Sequence, residues 1–406
     1  MFEKWDITSN DPRILFMMKL GQALHRYGVP SHRLENGMNL VSQRFGIQGS
    51  FFVTPTGIFA SFGPPEEQRT TLIRTESSEV NLEKMALLDE LVNQVTDERI
   101  SIVEGTERIE EIVNSKPRYG RLLSATSFAV SSGCAARIME GGWREVGVAA
   151  LIGLFVGMLA LVMGRSKEAG RLFEPISAIV ASALVLVGAH FLQSFSPGLT
   201  IVASLIVLLP GLTLTVAMNE LATRNLVSGT ARLMGATLVL FQIGFGVAIG
   251  SQVARVFPPA NTVTMVASSW SFYVALFLAP LAFSVLFKAH PRDIIWIVIA
   301  CLIGFAGAHA GTILLGPKLG VCIGALLLGV GSNLYALIKD RSAGITIVPG
   351  LIMLVPGSLG LGSLGKFIAN DTLYGLQLAF SMLLIAVALV TGLLMANVIL
   401  PPRKTL

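Results

Sequence analysis

Ile206-Val207-Leu208-Leu209-Pro210-Gly211-Leu212 lies inside an apolar run from Ile201 to Met218, and a similar string, Ile345-Thr346-Ile347-Val348-Pro349-Gly350-Leu351, returns late in the chain. Proline removes a backbone donor and clashes with the preceding turn, and glycine relaxes what remains, so Pro-Gly opens the hydrogen-bond ladder of a membrane helix. In hydrocarbon such an opening is tolerated only where protein or a water-filled cavity surrounds it. Discontinuous helices of this kind mark solute sites. The stretch points to a multi-pass membrane protein that handles a small polar solute.

Composition agrees. Of 406 residues 53% are hydrophobic and only 14% charged, a balance that excludes an ordinary soluble domain. Of the 25 acidic residues, 17 precede Ser115, which separates a polar head from an apolar body. The net charge of +5 resides in short loops, so anionic lipid is a sufficient partner and nucleic acid is not called for. Cys134, Cys301 and Cys322 sit in apolar or small-residue stretches and imply no disulfide framework. The run Ile14 to Met18, followed at once by Lys19, is too short for a signal peptide, so the head is expected to stay in the cytoplasm.

The head reads as an α/β domain over residues 1–118. Helices are expected at 11–27, 31–46, 81–95 and 101–114, the last opened by the capping box Ser101-x-x-Glu104. Phe51-Phe52-Val53, Ile58 to Phe62 and Thr70 to Ile73 are strand-prone runs between turn residues. Ten apolar segments follow, at 122–138, 144–163, 172–190, 199–218, 230–254, 265–287, 292–315, 319–338, 344–361 and 372–399. With the head inside, the cytoplasmic loops receive 14 of the 19 Lys and Arg beyond Ser115 and the outer loops 5, as the positive-inside rule requires. Both termini are then cytoplasmic.

The two Pro-Gly strings each fall in the fourth span of a five-span half, residues 119–256 and 257–406. An odd-numbered repeat enters the bilayer the second time from the opposite face, so the halves are expected to be inverted copies. The fold class is a polytopic α-helical membrane protein of about ten helices, as two inverted five-helix repeats behind a cytoplasmic α/β head. A further pair, Pro356-Gly357, lies in the same late span.

Gly21-Gln22-Ala23-Leu24-His25-Arg26-Tyr27-Gly28-Val29-Pro30-Ser31-His32-Arg33-Leu34-Glu35, followed by Phe52-Val53-Thr54-Pro55-Thr56-Gly57-Ile58, resembles the N-terminal part of the threonine/serine exporter (ThrE-type) family. Gly141-Gly142-Trp143-Arg144-Glu145, Leu209-Pro210-Gly211-Leu212 and Ser228-Gly229-Thr230-Ala231-Arg232-Leu233 are similar to its turn and later core. Leu354-Val355-Pro356-Gly357-Ser358 with Asn370-Asp371 resembles the second, smaller membrane module, which some members carry as a separate chain. The resemblance spans essentially the whole chain. It implies export of L-threonine and L-serine from the cytoplasm in exchange for protons, across a bacterial inner membrane. Some members are associated with dicarboxylates, and Glu145 stands where the family's turn usually has Asp.

A zwitterionic amino acid needs donors for its carboxylate, an acceptor for its ammonium and a partner for its hydroxyl. Helix N-termini at a break supply donors through exposed N–H groups and the helix dipole. The expected substrate residues are therefore Pro210, Gly211, Thr213, Thr215 and Asn219, with Pro349, Gly350, Pro356, Gly357 and Ser358 in the second half. Glu220, His309 and Asp371 are the candidates for proton coupling, since ionisable groups at membrane depth are costly without a role, and Arg232 is the charge partner of Glu220. Cap chemistry with Asn370 also explains Asp371. Arg137 and Glu140 read as an interfacial pair. His25, His32, Arg33 and Glu35 cluster at a turn of the head, for which a structural or gating role is expected. Absence of nucleotide-binding, hydrolase and zinc motifs leaves no expected cofactor or metal and argues against a pump or an enzyme. Two other readings stay open: a dicarboxylate carrier, and a membrane-anchored enzyme acting through the head. Gly-rich helix faces permit a homo-oligomer.

Overall fold

The computed structural model describes residues 11–75, 80–192, 196–254, 267–355, 357–368 and 371–401. Helix α1 (Pro12–Arg26) starts at Asp11, whose carboxylate accepts the Arg13 N–H at 2.9 Å, and ends where Gly28 turns the chain at φ +89°. That conformation is open to glycine at little steric cost, so Gly28 sets the angle at which α2 (Ser31–Arg44) departs. Strands β1 (Gly49–Thr54), β2 (Gly57–Phe62) and β3 (Arg69–Arg74) form one antiparallel sheet in that order. Helix α3 (Leu82–Thr96) is capped by Asn81, and α4 (Ile102–Asn114) by Ser101, whose hydroxyl accepts the Glu104 N–H at 3.1 Å.

Phe16, Leu20, Leu24, Leu34 and Met38 pack with Ile58 and Ile73 in an apolar cluster. The cluster does not stop at the head. Ala289, Ile297, Cys301, Tyr335 and Ile345 belong to it, and burying large apolar side chains is worth about 1.5–3 kcal/mol each, so head and membrane helices are held as one body. Polar contacts seal the same seam. The Leu82 and Glu83 N–H groups, orphans at the start of α3, donate to the Phe287 and Lys288 carbonyls at 2.9 and 3.1 Å. Ser228 Oγ donates to the Val53 carbonyl at 2.7 Å.

The membrane part comprises α5 (Arg121–Ile138), α6 (Trp143–Met163), the short α7 (Lys167–Gly170), α8 (Phe173–Leu192), α9 (Pro197–Ser204), α10 (Gly211–Ala222) and α11 (Leu226–Ala254). A second series follows: α12 (Ser269–Leu286), α13 (Pro291–Leu315), α14 (Val321–Lys339), α15 (Gly344–Leu354), α16 (Gly357–Ile368) and α17 (Thr372–Ile399). Among the described residues eight segments are long and apolar enough to cross a bilayer, one of them Gly344–Lys366, which contains α15 and α16. Ten were expected, and the two that fall short do so for physical reasons. Serines 124, 127, 131 and 132 dilute α5, and the fourth expected span is cut into α9 and α10, of eight and twelve residues.

The breaks differ from the sequence expectation in one respect. In the first half the helix stops at Ser204 and restarts at Gly211, with Pro210 as the cap residue, as anticipated. In the second half α15 runs unbroken through Pro349 and Gly350, and the interruption falls between Leu354 and Gly357. A proline six residues into a helix removes only one ladder bond, that to the Ile345 carbonyl, and flanking turns on both sides hold the rest. The counterpart of Leu209-Pro210-Gly211 is therefore Val355-Pro356-Gly357, of which Pro356 lies outside the described residues.

The two breaks meet. A Cβ built on Gly211 would collide with Val355 Cγ1 and lie 3.6 Å from Gly357 Cα, and one on Gly357 would lie 3.1 Å from Leu209 Cβ and 3.8 Å from Gly211 Cα. Around this crossing every major contact occurs twice. Helix α11 lies along α8 as α17 lies along α14; α10 pairs with α11 as α16 pairs with α17; and across the halves α10 meets α17 while α16 meets α11. Close approaches repeat in register. A Cβ on Gly246 would fall 2.6 Å from the Pro175 carbonyl oxygen and 2.7 Å from Ala178 Cβ; one on Gly392 would meet the Cys322 carbonyl and lie 2.8 Å from Ala325 Cβ.

Candidate functional site

A cavity of about 150 Å³ opens between the α1–α2 turn, α10, α15 and the end of α17. It is smaller than the roughly 300–1,000 Å³ of drug-sized pockets, which restricts it to a solute of few heavy atoms. Helix α10 presents Thr215, Val216 and Asn219 to it; α15 presents Gly344, Ile347 and Val348. The head supplies His32 and Arg33 from the first turn of α2. The Asn219 amide nitrogen lies 3.2 Å from His32 Nε2, and Thr215 Oγ1 donates to the Gly211 carbonyl at 3.1 Å.

A second cavity, about 400 Å³, lies between α9, α11 and α16. Its walls repeat those of the first. With Pro210 set on Pro356, Gly198, Ile201 and Val202 of α9 correspond to Gly344, Ile347 and Val348 of α15, and Leu361, Gly362 and Gly365 of α16 correspond to Thr215, Val216 and Asn219 of α10. The two lie on opposite sides of the crossing. Helix α10 runs from the break to the head, whereas α9 starts at Ser196, whose N–H donates to the Glu145 carboxylate at 2.8 Å. Glu145 stands beyond the far end of α5, about 27 Å of helix from the head.

Beside the first cavity Glu220 is fully buried at the end of α10. Its Oε1 accepts the Ser31 N–H at 2.9 Å, and Arg232 Nε lies 3.1 Å from Oε1 and 3.0 Å from Oε2. One carboxylate thus ties the membrane helices α10 and α11 to the first turn of the head's α2. Burial raises the Glu35 pKa, although its carboxylate accepts the Val53 N–H at 2.7 Å. Burial also pulls His32 down from 6.5 to about 4, with the Arg33 charge adding to the effect, so this imidazole is neutral near pH 7. His32 Nδ1, on the other side of the ring, is a buried atom that has no partner among the described residues.

The remaining sequence candidates divide. Pro210, Gly211 and Gly357 form the crossing. Thr213 faces outward, because two positions from Thr215 is 200° around the helix. Ser358 is half-buried in the first turn of α16 and lines neither cavity. Pro349 and Gly350 are buried in the wall of α15, where a Cβ on Gly350 would meet the Leu328 side chain of α14. His309 is exposed on α13. The close packing of α13 on α14 is made by Gly307 and Gly311, on the other face of the helix. Asp371 is exposed, makes no side-chain cap and lies 3.8 Å from Lys366. Arg137 reaches Ser271 Oγ at 2.7 Å at the start of α12, which replaces the expected pairing with Glu140.

Sequence reasoning passed over another buried carboxylate, Asp293, which receives Arg341 at 2.8 Å and the Tyr335 hydroxyl at 2.8 Å. Its signal was present: Asp293 stands as far into α13 as Glu145 stands into α6.

Eight long apolar helical segments among the described residues, in a bundle that exposes apolar side chains such as Leu151 and Val398 outward, define a multi-pass membrane protein. The chain belongs to the threonine/serine exporter (ThrE) family: residues 15–254 match one family model and 273–399 the second, so both modules are fused here. It is 28% identical over 363 residues to pheromone-regulated membrane protein 10 of Debaryomyces hansenii, covering 85% of this chain and 36% of that one. It is 23% identical over 435 residues to an uncharacterized protein of Schizosaccharomyces pombe, covering 98% and 52%. The chain thus spans about a third to a half of the curated relatives it matches. No solved structure matches it.

Proposed function

We propose that the chain is a secondary transporter that exports small hydroxy amino acids, L-threonine and L-serine, by alternating access between two inverted five-helix repeats. The observation that carries this is the pair of cavities with corresponding walls on opposite sides of the Gly211–Gly357 crossing. In an inverted repeat the two halves can exchange conformations, so that the cavity open on one side closes as its counterpart opens. The charge bias of the loops favours ten spans with the head and both termini cytoplasmic; the bacterial inner membrane is the location that the family resemblance implies.

Proton antiport is the proposed energy source. Glu220 is the proposed proton carrier, supported by its contacts: a proton on this carboxylate would weaken its hold on Arg232 and on the Ser31 N–H and free α10 and α11 from the head. Asn219 and Thr215 offer the ammonium and hydroxyl of a substrate their partners. A dicarboxylate remains the second reading, favoured by the cationic Arg33 in the cavity wall.

Uptake into inside-out vesicles tests the proposal. Labelled L-threonine or L-serine is expected to accumulate under an imposed proton gradient and to stop when the gradient is collapsed. Accumulation of succinate alone would move the substrate and keep the mechanism, whereas uptake of none of the three would remove the transporter reading.

A further inference from the structure

The head brings one charge into the cavity that nothing neutralises. Arg33 lines the wall, and it makes no hydrogen bond or ion pair with the described residues. Its Nη1 lies against the start of α15, 3.4 Å from where a Cβ on Gly344 would stand. That helix end carries the positive pole of its dipole, so a guanidinium beside it is doubly short of negative charge. The nearby carboxylate, Glu220, is committed to Arg232 and Ser31. Burial draws the Arg33 pKa down with no acidic group opposing it. A second unsatisfied group stands beside it: the buried His32 Nδ1 on the neighbouring residue has no hydrogen-bond partner among the described residues. Arg33 is half-buried, and a guanidinium without an anionic partner in a cavity wall is a group that a ligand can satisfy.

We propose that the Arg33 guanidinium receives the carboxylate of the transported solute, so that the head completes the binding site. The inference rests on the reading of this cavity as the carrier's site and adds its substrate chemistry: a small solute with a free carboxylate, held between Arg33 and the N-terminal turn of α15. The planar guanidinium fork matches a carboxylate, which a lysine ammonium does only as a point charge.

The test uses the purified full chain, with L-threonine, L-threoninol and succinate as probes and binding read by calorimetry and by ligand-induced melting shifts. Arg33→Gln is expected to lose roughly tenfold to 100-fold in affinity for the carboxylate probes, the worth of a charge-assisted hydrogen bond, and to lose the preference for L-threonine over L-threoninol. Arg33→Lys should restore part of both. Without ligand, Arg33→Gln should melt at or above wild type, because it removes an unpaired charge; a structural arginine would give the opposite. Unchanged carboxylate affinity in Arg33→Gln, with Asn219→Ala impaired, would overturn the role of Arg33 and leave the carrier reading standing. Failure of the wild type to bind any of the carboxylate probes would overturn both.

Discussion

Replacement of Gly211 by valine is expected to reduce flux at least 100-fold, about 2.7 kcal/mol of barrier, while the protein still reaches the membrane. The added Cβ would collide with Val355 Cγ1 and stand 3.3 Å from Val355 Cβ, while Gly357 Cα at 3.6 Å is already in van der Waals contact. Val355 is β-branched and stiff at χ1, so it has little room to turn aside, and valine brings two more methyl groups into the same space. Overpacking of this kind typically costs about 1–3 kcal/mol in a static core. In the proposed alternating-access cycle the crossing rearranges, and the same volume would obstruct each state in turn. Gly350→Ala is the control. Its Cβ meets the Leu328 side chain inside a continuous helix wall, so a lower melting temperature with preserved flux is expected. Flux and surface expression measured together decide between these outcomes, and wild-type flux in Gly211→Val would refute the crossing as the moving element.

The second large effect is expected at Glu220. Glu220→Ala leaves Arg232, whose side chain is only 14% exposed, without its partner and leaves the Ser31 N–H without its acceptor. Breaking one side of a buried pair costs about 3–5 kcal/mol, so a marked fall in melting temperature is expected, with the head the first region to become protease-sensitive. Because the pair acts as a unit, Glu220→Ala with Arg232→Ala should cost less than the sum of the single changes, as a double-mutant cycle would show. Glu220→Gln retains an acceptor for Ser31 but cannot lose a proton. It is expected to bind substrate and to lose the response of flux to an imposed pH gradient. Strictly additive losses, or an unaltered pH response in Glu220→Gln, would remove Glu220 from the coupling.

The head's elements were legible in the sequence because their signals are local: the Ser101 cap, the alternation of Ile58 to Phe62 and the turn at Gly28 each act within a few residues. The first break was legible for the same reason. The second was set at Pro349-Gly350 by identity of short strings, whereas Pro356-Gly357 matches the spacing to the wall glycines, Gly198 and Gly344, that only the packed helices make meaningful. His309 was attractive as an ionisable group inside an apolar segment, yet helix geometry turns the histidine away from the face on which Gly307 and Gly311 pack. Arg33 was visible as a charge at a turn, but the cavity it lines is built from four distant parts of the chain. Asp293 was hidden likewise, since Arg341 and Tyr335 lie some forty to fifty residues away in sequence.

Site-directed thiol labelling on the two sides of the crossing tests alternating access most directly. Val216→Cys and Gly362→Cys occupy corresponding positions in the two cavities, and a side chain at Gly362 meets only Leu378 at 3.7 Å. Both are made in a background lacking Cys134, Cys301 and Cys322. A membrane-impermeant reagent is expected to label Val216→Cys from the head side and Gly362→Cys from the opposite side, with substrate and proton gradient moving the two rates in opposite directions. Labelling of both from one side, or rates that rise and fall together, would contradict the exchange of the two cavities.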